Sequence, residues 1–110
     1  MPDVSGVQSV LNSAKRAAAS RDWGSAEKCF RLALRMQEVA LGPAHPELAR
    51  TLGHLAAVCE VSNQLGEAEN CYRKAWAIAA AALAPADPVV TTSRDNLRQF
   101  CAAHNVPLDP

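Results

Sequence analysis

Cys29, Cys59, Cys71 and Cys101 are the side chains of this sequence best suited to chemistry, because a thiolate can bind zinc, attack an electrophile or pair into a disulfide. Their spacing argues against all three. Cys29 and Cys71 stand 42 residues apart, and so do Cys59 and Cys101, so the four thiols fill two structural places twice over. That is how packing residues recur. A zinc site would need clustered ligands such as Cys-x-x-Cys, which the sequence lacks, and disulfide frames belong to small secreted chains that cannot build a core. Inert, buried thiols are expected, with a thiol switch as the minor alternative, and no metal or other cofactor. The compartment implied is reducing, hence cytoplasmic.

The histidines and carboxylates are equally dispersed. His45 stands before Pro46 and is placed to cap a helix, His54 to lie on or beside a groove face, and His104 to sit in solvent at the end of the last helix. No Ser/His/Asp or Cys/His set can be assembled from these spacings. Glu67 and Glu69 adjoin a helix N-terminus, where carboxylates complement the dipole, so they read as structural rather than as an acid–base pair. The expectation is a protein that is not an enzyme.

Composition narrows the partner. Eleven basic residues balance eleven acidic ones over 110 residues, so the field that would draw in nucleic acid or an anionic membrane is missing. The few aromatics (Trp23, Phe30, Tyr72, Trp76, Phe100) sit at helical spacings and are expected in the core, not on a base-stacking platform. The longest apolar run, Ala75 to Ala84, is about half of the roughly 20 residues a membrane span needs. Ser9 to Arg21 weakly resembles a transit peptide in its Ser, Ala, Lys and Arg content, but the same residues are required as a first helix.

The element that must position everything else is a repeat. Ala26-Glu27-Lys28-Cys29-Phe30-Arg31 returns as Ala68-Glu69-Asn70-Cys71-Tyr72-Arg73, and Leu41-Gly42-Pro43-Ala44-His45-Pro46 returns as Leu83-Ala84-Pro85-Ala86-Asp87-Pro88, both at a period of 42. Leu55, Cys59 and Asn63 return as Leu97, Cys101 and Asn105, so the last segment is half a unit. Apolar residues recurring at three and four split each unit into two helices. The spans expected are 4–20 (Val7, Val10, Leu11, Ala14, Ala17 inward), 23–41 (Ala26, Cys29, Phe30, Ala33, Leu34), 46–62 (Leu48, Leu52, Leu55, Ala56, Cys59), 65–83 (Ala68, Cys71, Tyr72, Ala75, Trp76) and 88–103 (Val90, Leu97, Phe100, Cys101), with a tail over 104–110. Ser20-Arg21-Asp22 is a turn, and Gly42 is expected to close the second helix as a left-handed C-cap before Pro43. Ala26, Ala33, Ala68 and Ala75 let backbones approach while Phe30 and Tyr72 fill the space between. Such a pair cannot bury its own apolar face, so pairs must stack into one domain over 1–110, with the fifth helix, carrying Arg94, Asp95 and Arg98, as its end cap.

The segment Leu41-Gly42-Pro43-Ala44-His45-Pro46-Glu47-Leu48-Ala49, followed by Leu52, Leu55-Ala56, Gly66-Glu67-Ala68-Glu69 and Tyr72-Arg73-Lys74-Ala75, resembles the long tetratricopeptide repeat of kinesin light chains. The resemblance implies an all-α, right-handed α-solenoid of antiparallel helix pairs, about two and a half units and five helices, whose first helices line a concave groove for a peptide or helix of a partner protein. Kinesin light chains carry paired Asn residues on that side; here the places hold Gly53-His54 and Asp95-Asn96, so only Asn96 is kept and cargo specificity is not implied. The Lys/Asn set that clamps chaperone C-termini is also missing, its places being Gln8, Leu11, Lys15, Arg50, Gly53 and Ala57.

On that geometry the groove comprises Leu11, Lys15 and Ala18, then Arg50, Gly53, His54, Ala57 and Glu60, then Asp95, Asn96 and Gln99. Gly53 and Ala57 form a shallow lane, and a mid-helix glycine costs about 1 kcal/mol against alanine, which close approach of a ligand would justify. A protein adaptor or scaffold is the leading expectation. Ala79-Ala80-Ala81-Ala82, where the earlier unit has Gln37-Glu38-Val39-Ala40, is the candidate second interface of a structural subunit or homodimer.

Overall fold

A computed structural model describes residues 4–108, folded as five helices: α1 (Val4–Ala19), α2 (Trp23–Leu41), α3 (Glu47–Val61), α4 (Leu65–Ala82) and α5 (Pro88–His104). Residues 1–3 and 109–110 of the expected 1–110 domain lie outside the described residues. Each helix packs on its successor and α3 also meets α5, giving an all-α helical-repeat solenoid of 40 × 33 × 19 Å. The expected spans are met to within one residue at each end.

The caps explain those single-residue differences. Arg21, Asn63 and Asn105 have φ of 60°, 64° and 57°, and they stand at the 42-residue period just past the first helix of each unit. At each, the following N–H reaches five residues back, Asp22 to Ala17 O at 2.8 Å, Gln64 to Cys59 O at 2.8 Å and Val106 to Cys101 O at 2.9 Å, a hydrogen bond of the Schellman type. Asn63 and Asn105 recur because asparagine tolerates the left-handed conformation that arginine adopts at a cost. Helix starts repeat as well. The Glu47 N–H donates to His45 Nδ1 at 3.1 Å, and 42 residues on the Val89 N–H donates to Asp87 Oδ1 at 2.9 Å, so His45 is the cap the sequence suggests.

Gly42 differs from expectation. Its φ of 94° is positive, but ψ is 156°, an extended conformation open essentially to glycine alone rather than the left-handed helical one. The second unit has Ala84 here and needs no such residue, because α4 stops at Ala82 and Leu83 leaves in ordinary extended backbone. The core lies where the sequence places it: Ala26, Ala33, Ala68, Ala75, Phe30, Leu55, Leu97 and Phe100 are buried. Central α3 buries Ala49, Thr51 and Val58 besides its expected stripe, since helices close on it from several sides. Thr51 Oγ1 donates to Gln37 Oε1 at 2.7 Å inside the core, a polar pair the amphipathic pattern did not reveal.

Candidate functional site

A cleft of about 420 Å³ opens between α3 and α5, with Tyr72 of α4 in its lining. Of the residues expected in the groove it gathers Arg50, Gly53, His54, Ala57 and Asn96. Ala49, Pro88, Val89, Thr92 and Ser93 complete it; Thr92 lies 42 residues beyond Arg50, so the repeat register could have found it. Gly53 faces Asn96 across the cleft, and a Cβ added there would stand 4.0 Å from Asn96 Nδ2, ordinary contact. Packing therefore does not demand the glycine; its effect is to keep the lane open.

His54 forms one wall. Its ring lies flat on Phe30 of α2, centroids 5.4 Å apart and planes 12° apart, while the residue as a whole stays exposed to solvent. Burial of the ring, then the nearby charges of Lys15 and Arg50, hold its pKa below the usual histidine range. Arg50 meets Glu47 only loosely, at 3.9 Å with both side chains exposed, a pair worth little.

Other expected groove residues are placed elsewhere. Glu60, half-buried, accepts from the Tyr72 hydroxyl at 2.9 Å on Oε1 and meets His104 Nε2 at 2.8 Å on Oε2, so its carboxylate is engaged within the fold. Burial and the Glu60 carboxylate together push the Tyr72 phenol well up. His104 is thereby corrected: expected in solvent at a frayed end, it is half-buried against Phe100 at 4.7 Å and joined to α3. The αL cap at Asn105 ends α5 firmly enough to hold it there. Leu11 lines a separate hollow of about 270 Å³ with Val7, Gln37 and His45, because α1 packs on α2. Lys15, Asp95 and Gln99 are exposed outside the cleft lining, and Ala18 packs on the core. Helix register cannot supply the crossing angle that decides these cases.

Of the alanine run, Ala79 is wholly buried in the core, so the exposed face reduces to Ala80, Ala81 and Ala82. The reason lies in the repeat, as Ala79 occupies the place of buried Gln37. Three thiols are buried as expected, whereas Cys29 is half-buried. The thiol of Cys59 is pushed up to about 11 by burial and then by neighbouring Cys71, and burial raises Cys71 as well, both against thiolate chemistry. Among the described residues no helix is long and apolar enough to cross a membrane.

Salt bridges tie the units together. Arg31 of α2 meets Glu27 and Glu67, each at 3.0 Å, and Gln64 donates to Glu27 at 2.7 Å; these hydrogen bonds to Gln64 and Arg31 hold the Glu27 carboxyl below its usual range. Arg73, the equivalent of Arg31, meets Glu69 at 2.8 Å and donates to the carbonyls of Pro107 at 2.8 Å and Leu108 at 2.9 Å. A family model described as tetratricopeptide repeat matches residues 9–81, and no curated protein matches the chain.

Proposed function

Because the chain belongs to the tetratricopeptide-repeat family, whose members generally bind other proteins, we infer that it acts as an adaptor holding a segment of a partner protein in the α3–α5 cleft. The observation that carries this reading is the cleft's combination of an open lane at Gly53 and Ala57 with polar side chains, Arg50, His54, Thr92 and Asn96, along its sides. Its charged lining is basic, with no carboxylate among the lining residues, so the segment it fits bears an acidic side chain beside a small apolar one. A cleft of this size gives modest affinity, which a second contact would raise. The 42-residue period and the Gly42-Pro43-Ala44-His45-Pro46 linker support the long-repeat class resembling kinesin light chains. The competing reading, a structural subunit joined through helix α4, retains only Ala80, Ala81 and Ala82 as its exposed face.

Capture from native extract with the wild-type chain, Gly53→Trp and Arg50→Glu tests the inference, circular dichroism showing that all three are folded. Partners lost with both variants support the cleft. A partner set unchanged by either moves the binding surface elsewhere. Arg50 is well exposed, so its charge reversal probes binding with little effect on folding.

A further inference from the structure

The 42-residue register places His54 alongside Asn12 and Asn96, so only the middle unit carries a titratable group at this position. That group stands in a one-signed neighbourhood. Lys15 comes from α1 and Arg50 from one turn earlier on α3, both acting on the imidazole. From α2 it meets the apolar ring of Phe30, and across the cleft α5 offers only neutral Thr92, Ser93 and Asn96. The Tyr72 hydroxyl of α4 is committed to Glu60, whose second oxygen meets His104. Glu47 is the remaining carboxylate nearby, and it touches Arg50 only across solvent at 3.9 Å. Among the described residues no carboxylate pairs with the His54 ring.

We propose that the cleft takes up its acidic partner segment together with a proton on His54, so that binding tightens as the surroundings acidify. The inference rests on the reading of the cleft as a partner site. In the free chain the partial burial of the ring against Phe30, then the nearby charges of Lys15 and Arg50, disfavour the imidazolium. A carboxylate seated against Arg50 cancels that repulsion and supplies the missing counter-charge to the imidazolium. By linkage, whatever favours the proton when the anion is bound favours the anion when the proton is bound. The partner's own glutamates, with ordinary pKa near about 4.3, stay ionised throughout the histidine range.

The test uses the full chain and blocked six-residue peptides in which glutamates flank one apolar residue, with glutamine counterparts as controls. Ring-proton NMR follows His54 through a pH titration, free and peptide-saturated, while calorimetry measures affinity at pH 5.5 and 7.5. The expected result is an upward move of the His54 midpoint on binding and roughly three- to tenfold tighter binding at the lower pH, a full unit of movement corresponding to tenfold. His54→Asn, which installs the residue of the other two units, should flatten the pH dependence; the wild-type NMR titration stands by itself if that variant folds poorly. Acidic peptides that bind equally at both pH values with the His54 midpoint unmoved overturn the proton coupling and leave the cleft reading intact. Absence of binding, or equal binding of the glutamine peptides, overturns the cleft reading and the coupling with it.

Discussion

The two joints of the solenoid are built from repeat-equivalent residues and yet differ in chemistry. At the α2–α3 joint, His54 covers Phe30, Thr51 donates to Gln37 and Arg31 bridges to Glu67 of the next helix pair. At the α4–α5 joint the same places hold Asn96 and Tyr72, Ser93 and Ala79, and an Arg73 that grips backbone carbonyls of the tail. The first joint is sealed by a ring; the second has an amide, shorter than imidazole, and the cleft opens above Tyr72. Tyr72 is turned to another use, its hydroxyl tying α4 to Glu60 and through it to His104. A repeat therefore fixes where a cleft can form, and the side chain at one register position decides whether it is open or filled.

Perturbing the first joint should have the largest effect. Gln37→Leu leaves the buried Thr51 hydroxyl without its partner and is expected to cost about 1–3 kcal/mol by urea denaturation, most of it regained in Gln37→Leu/Thr51→Val, where both partners become apolar. Equal losses in the single and double variants would show that the hydrogen bond is not what holds this joint. Converting the second joint to the first is the next step: Asn96→His should lay an imidazole over Tyr72, fill the cleft and weaken partner binding at least tenfold, or about 1.4 kcal/mol. Partner affinity untouched by Asn96→His would mean that the open cleft is not the site. Tyr72→Phe, which makes the α4 ring like that of α2, should lower stability by roughly 0.5–1.5 kcal/mol by removing the hydrogen bond to Glu60.

Smaller effects distinguish the turns and the ion pairs. Arg21→Asn gives the first turn the residue that the other two carry, and should raise stability by about 0.5–1 kcal/mol, part of the ~1–2 kcal/mol that a left-handed conformation costs an ordinary residue. Glu27 has its folded pKa depressed, so its contribution is present above the ordinary carboxylate range and is lost as pH falls through the folded value. Acid titration of stability should accordingly be shallower in Glu27→Gln than in the wild-type chain, and identical slopes would show that the bridge to Gln64 and Arg31 does not contribute.

Much of this architecture was legible before any coordinates. The period of 42 located five helices, and the return of Asn63 as Asn105 pointed to a backbone requirement that the positive φ values now explain. Arg50, Gly53, His54, Ala57 and Asn96 were expected together on the geometry that the resemblance implies, and they line one cleft because adjacent first helices present repeat-equivalent faces to it. Leu11, Asp95 and Gln99 were not separable from them, since periodicity gives the face of a helix but not the angle at which it meets its neighbour. Gln37 and Ala79 escaped for a different reason. A glutamine near a helix end and an alanine within an alanine run both look like surface, and only the stacking of the next helix buries them.

The most direct test of the cleft as the partner site is backbone NMR of the full chain titrated with the acidic blocked peptides. The account predicts shifts concentrated on Arg50, Gly53, Ala57, Thr92 and Asn96, with the amides of Ala80, Ala81 and Ala82 unmoved. Shifts gathered on that alanine face, or spread evenly over both helical layers, would contradict it.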